Sequence, residues 1–235
     1  VALYVLSVTR PRVEATPYQT FSPPSTLERR APTELVPRVL TERLVHLVRH
    51  GRSIDTRFRA VLETNDAPAV VAVPVLKAAL ADTAEEVRLS AFSQLDKTRR
   101  AIDLRIERAR EALKADVPSA RARSLHASLA EDYYEIAYLG LAEGEMYKHT
   151  LGAALTHAEE ALAIVPDDAS MLRLVGRIRL RQAPAAAPAP AAREAFEAAA
   201  AAGMPAAELA AELAEEAFRR RSFDEVARIL ATIDS

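Results

Sequence analysis

Ala154-Leu155-Thr156-His157-Ala158-Glu159-Glu160-Ala161-Leu162-Ala163-Ile164-Val165-Pro166 is the stretch on which the reading of the fold turns. Its alanines at 154, 158 and 161 return at helical spacing on one face, and Pro166 follows where a helix has to stop. Side chains this small let a second helix lie close against the first. Upstream, Tyr133, Ile136 and Ala137 provide large and small residues for a preceding helix. The alternation repeats downstream: Leu172, Val175 and Gly176 on one helix, then Ala192, Phe196 and Ala199 on the next, closed by Gly203-Met204-Pro205. A third unit carries Ala214, Phe218, Ser222 and Ala227, and Ser222 with Glu225 has the spacing of a capping box. Residues 118–235 therefore predict helical pairs with a period of about 34 residues. The predicted fold class is all-α, a helical-repeat superhelix.

Two segments depart from a regular period. The turn from Ala142 to His149 is long for a paired-helix connection. Ala183-Pro184-Ala185-Ala186-Ala187-Pro188-Ala189-Pro190 inserts between two helices and predicts a mobile, extended loop. Composition agrees with the helical reading. Among 235 residues there are only six Gly, six Phe, six Tyr and no Trp, and half of the chain is apolar with Ala prominent. Ala loses least on entering a helix, whereas strands favour branched and aromatic side chains, so an all-β fold is excluded. A formal net charge of −2 argues against the basic field that nucleic-acid binding needs. The lack of Cys removes disulfides, thiolate zinc sites and cysteine nucleophiles together.

Residues 34–117 read as further helices. Leu35, Val36, Val39, Leu40, Leu44, Val45, Leu47 and Val48 give an amphipathic helix ending near His50-Gly51, and a second runs from Ile54 through Phe58 to Leu62. Asp66 is expected to cap a third, from about Pro68 to Leu80, with Pro74 inside it. Thr83 and Glu86 are spaced as a capping box for a fourth. From Lys97 to Ala115 the chain is highly charged but keeps one apolar seam, Ile102, Ile106, Ala109 and Leu113, which predicts a long helix laid across the stack, with a partner-binding coiled coil as the alternative. Residues 1–33 differ in kind. Val1 to Val8 is a short apolar run ended by Thr9-Arg10-Pro11-Arg12, and it reads either as the end of a membrane helix or as a short packing segment. Arg10 and Arg12 favour the membrane reading, with the following residues on the cytoplasmic side. Six prolines between Pro11 and Pro37 then make a tether.

Motifs for chemistry are few. There is no glycine-rich phosphate loop. His46 and His50 have metal-ligand spacing but no third ligand nearby in sequence, and the expectation is no metal site. His149 and His157, with Glu159 and Glu160 beyond them, give no catalytic arrangement. Arg52 to Asp55 and Arg100 to Asp103 both match R-x-x-D, a tetrapeptide too short to be informative among 31 basic residues. No catalytic residue and no cofactor is expected. The better constellation is a set of residues on the first helix of each pair: Tyr134 and Tyr138, then Arg173, Arg177 and Arg181, each set spaced i, i+4. Guanidiniums beside tyrosine rings suit a carboxylate-bearing or acidic peptide; the other reading of the same residues is a solvated charged face without a partner. Glu212 and Glu216 occupy the corresponding positions of the third unit, where they are placed to pair with the arginines.

The size pattern of residues 118–235 resembles tetratricopeptide repeats (TPR). Val73-Pro74-Val75-Leu76, Leu80-Ala81-Asp82, Glu86-Val87-Arg88, Ala91 and Leu95 are similar to one HEAT repeat, with the helices before it as a degenerate neighbour. The order of parts, with Asp66-Ala67-Pro68-Ala69-Val70-Val71, Val87 to Asp96, the tyrosine segment Glu131 to Glu143 and Gly176-Arg177, resembles the cytoplasmic part of the PelE family of bacterial Pel exopolysaccharide synthesis. That resemblance implies a bacterial inner-membrane protein anchored upstream of these residues. It further implies a non-enzymatic scaffold contacting PelD, PelG and PelF, with no nucleic acid and no small-molecule substrate. The alternative is a soluble TPR peptide receptor or cochaperone that recognises an acidic segment.

Overall fold

The computed structural model describes residues 35–185 and 187–231, and the expected membrane end and tether at 1–33 lie outside the described residues. The described residues form ten α-helices packed in sequential pairs, with no strand among them. α1 (Leu35–His50) and α2 (Ile54–Leu62) pair, a 3-10 turn (Glu63–Asp66) follows, and α3 (Ala69–Ala79) pairs with α4 (Glu85–Leu113). α1 also lies on α3, and α2 on α4. Leu44, Val48, Val61, Val75, Leu76 and Val87 fill the core between these four helices.

Two local expectations fail here. Asp66 ends the 3-10 turn, and Pro68 takes the position before α3. The Thr83–Glu86 box does not form: Ala84 precedes α4, and the Asp82 carboxylate accepts its N–H at 2.8 Å. Asp82 is fixed for that role by Arg57, which donates from Nε (2.7 Å) and Nη2 (3.0 Å). This pairing holds the Asp82 carboxyl below its ordinary pKa, and the Ala84 N–H acts in the same direction. α3 continues through Pro74, whose side is exposed.

The predicted fourth helix and the predicted charged helix are one. No Pro or Gly interrupts residues 85–113, so α4 runs 29 residues without a break. Its first half closes the N-terminal core, and its seam Ile102, Ile106 and Ala109 is buried against Leu129 and Ile136 of α5 (Ser119–Tyr138). Arg105 of α4 reaches the largely buried Asp132 at 2.7 Å and also pairs with Glu135, tying α4 to α5.

α5 pairs with α6 (Gly144–Ile164), α7 (Ala169–Gln182) with α8 (Pro190–Ala201), and α9 (Ala206–Arg219) with α10 (Phe223–Ala231). Each second helix also carries the next first helix, α7 on α6 and α9 on α8. Ala154, Ala158 and Ala161 are fully buried, as their spacing predicts. Gly176 permits the closest approach: a Cβ there would lie 2.4 Å from Cε1 of the buried Phe196 ring. The long turn expected from Ala142 to His149 is short, because α6 already begins at Gly144. α5 ends instead in a Schellman turn, with Gly140 at φ 67° and Leu141 N–H returning to Ile136 O. Lys77 of α3 and Arg99 of α4 donate to Gly140 O and Leu141 O, pinning this turn to the N-terminal helices. In the Ala/Pro segment, Pro190 starts α8 and Ala189 is buried against it, so that end of the insertion is part of the packed structure.

Candidate protein-binding face

α5 and α7 run side by side, and their spacing brings all five predicted residues together or onto one continuous edge. Tyr134 and Tyr138 are one turn apart on α5, with ring centroids 6.0 Å apart. The guanidiniums of Arg177 and Arg181 on α7 lie over these rings: Arg177 5.0 Å from the centroid of Tyr134 and 5.8 Å from that of Tyr138, Arg181 5.7 and 5.0 Å. Such contacts combine cation–π attraction with flat stacking of guanidinium on phenol. Tyr134 is buried and its hydroxyl accepts from Arg181 Nε at 3.0 Å, while Tyr138 remains exposed. Burial opposes the charge on Arg181, but the Tyr134 and Tyr147 hydroxyls more than offset it and keep its pKa above the ordinary value.

Arg173 stands one turn away and is already engaged. Its Nε and Nη2 both donate to Glu212 Oε1 of α9, at 2.9 and 2.7 Å. Arg177 approaches the same oxygen only at 3.7 Å, and Arg181 is met by tyrosine hydroxyls rather than by a carboxylate among the described residues. Glu212 Oε2 is buried without a hydrogen-bond partner. Glu216, expected on this face, is elsewhere. It is fully buried and accepts from Arg220 through both oxygens at 2.9 Å, in a network with Arg193 and Glu225. Glu225 is thereby drawn to Arg220 and Arg193, and its pKa is depressed by those contacts. The Ser222–Glu225 capping box does not form for the same reason: the Ser222 N–H returns to Ala217 O.

The other sequence candidates separate. His46 and His50 have ring centroids 4.8 Å apart, and no group of three potential metal ligands stands together among the described residues. Neither R-x-x-D pairs internally: Asp55 meets Arg59, Asp103 meets Arg99, and Arg100 meets Asp96, all as i, i+4 pairs. His157 is distant from any role with His149; its Nδ1 lies 3.0 Å from Nδ1 of His126 on α5, and Tyr133 stacks on its ring at 5.8 Å. That hydrogen bond requires one imidazole to donate and the other to accept. Sequence reading missed His126 because 31 residues separate the two, and only the rotation of α5 against α6 brings them together.

No family model matches the chain, and searches of curated proteins and of solved structures returned no match.

Proposed function

We propose that this chain is a non-enzymatic protein–protein interaction scaffold of the PelE kind, serving a bacterial inner-membrane complex for Pel exopolysaccharide synthesis and export. In this reading α1–α4 are HEAT-like, α5–α10 are TPR-like pairs, and the partners are PelD and PelG, with PelF joining them. The observation that carries the scaffold reading is the tyrosine–arginine face across α5 and α7, where Tyr138 and Arg177 present an exposed ring and an incompletely paired cation. Aromatic and arginine side chains are the residue types that dominate protein interfaces. The Pel assignment rests on the resemblance of the sequence. Co-purification of the tagged chain with PelD and PelG from detergent-solubilised membranes tests it. Both are expected to be retained, and retention of neither overturns the assignment.

One observation favours the alternative, a receptor for an acidic peptide: Arg177 is held over two rings with its nearest carboxylate at 3.7 Å. A single carboxylate fits that cation, whereas Arg173 is occupied by Glu212. Titration with an acidic peptide would then lose about tenfold in affinity in Arg177→Ala and much less in Arg173→Ala.

A further inference from the structure

From α5 onward each second helix is covered by the first helix of the next pair, α6 by α7 and α8 by α9. α10 has no such cover among the described residues, and none of its residues is buried. Phe223 and Leu230 on α10 are 59% and 47% exposed, and Phe218 at the end of α9 is 61% exposed. The two phenylalanine rings meet edge to face at 5.8 Å, extending one apolar surface from α9 onto α10. Phe223, Ala227 and Leu230 follow i, i+4, i+7 spacing along a single stripe. Val226 and Ile229 turn the other way and are half-buried.

Along the edge of the stripe stand Asp224 and, one turn on, Arg228. Neither side chain makes a hydrogen bond or ion pair with another described residue. Their order matters. When a second α10 lies antiparallel on the first, each Asp224 comes beside the partner's Arg228, so the charge pattern complements itself about a two-fold axis. Ala227, small and central, lets the two helices approach, and Phe223 of each packs toward the far end of the other. We propose that the α9–α10 face pairs two copies of this chain through antiparallel α10 helices, joined by the Phe223–Ala227–Leu230 stripe and two Asp224–Arg228 ion pairs. A nine-residue helix is only about 14 Å long, so the contact falls below the roughly 800 Å² per partner of a standard interface. The dimer is accordingly weak and reversible. The inference does not depend on the Pel reading.

Sedimentation velocity on the whole chain, from about 1 to 500 μM, tests it, with an expected Kd on the order of 10–100 μM. Phe223→Ser is expected to weaken the dimer at least about tenfold, with far-UV circular dichroism checking that the helix content is kept. Asp224→Arg and Arg228→Asp each place like charges across the axis and are expected to weaken it. The double reversal restores the pairing, an outcome that only a second copy of the same helix produces. A chain that stays monomeric throughout overturns the proposal. So does a double reversal no better than the single ones, or a different protein captured through Phe223 while the chain itself remains monomeric.

Discussion

Gly176 shows how one side chain sets the distance between two helices. Its place in a large–large–small run was visible in the sequence, because residue size is a one-dimensional signal, and Val175 and Phe196 are buried around it as that run implies. A methyl at 176 has nowhere to go against a ring with no exposed surface. Gly176→Ala is expected to cost about 1–3 kcal/mol, and Phe196→Leu in the same chain should recover part of it; urea unfolding midpoints measure both. His157 behaves differently, because its environment depends on helices that meet only in three dimensions. Burial lowers its pKa from 6.5, and the neighbouring His126 and Arg110 lower it further, against the opposing pull of Glu160. The folded protein thus resists a proton that the unfolded chain accepts near 6.5. Stability from this site is full above that pH and is lost as the pH falls through the lowered folded value. Unfolding free energies of wild type and His157→Gln, measured across that interval, should show a steeper acid loss in the wild type, and parallel curves would contradict it.

At the scale of elements, three turns between helices close in the same way, yet only two have glycine where it is needed. Gly140 and Gly203 hold φ values of 67° and 98° after α5 and α8, while Arg221 holds φ 60° after α9, with the same return bond from Ser222 N–H to Ala217 O. A side chain in the left-handed region is costly and Arg221 makes no contact that compensates. Arg221→Gly is expected to stabilise the chain by about 1 kcal/mol, read as a rise in the thermal midpoint. Helix existence was legible in the sequence, and so were faces such as Leu44 with Val48 and Ala192 with Ala199, but Val39, Ile54, Phe218 and Ala227, which fall on predicted packing positions, are exposed. Boundaries were less so. α6 starts at Gly144 with no side-chain cap, and α3 and α4 follow Pro68 and Ala84, so the capping residues that sequence reading looks for were absent or otherwise engaged. At α4 the N–H of Ala84 is met instead by Asp82, itself held by Arg57, and Glu225 is held by Arg193 and Arg220.

Among the described residues four hydrophobic clusters succeed one another, and α4, α5, α7 and α8 each contribute to two of them. An array of this kind has stability that varies along its length. Native-state hydrogen exchange should find the amides of α10 exchanging on the order of 100-fold or more faster than those of α3 and the first half of α4; equal protection along the chain would indicate a single cooperative unit. The candidate face was legible as a set of residues but not as a balance of charges, because Glu212 and Glu216 are one turn apart and meet different arginines. α4 crosses two of the clusters as one unbroken helix about 43 Å long. An element of that length is a lever. A pull or tilt applied at the α1–α3 end cannot be absorbed at a hinge within α4, and is delivered through Arg105 and the Ile102–Ile106 seam to α5, the helix that carries Tyr134 and Tyr138.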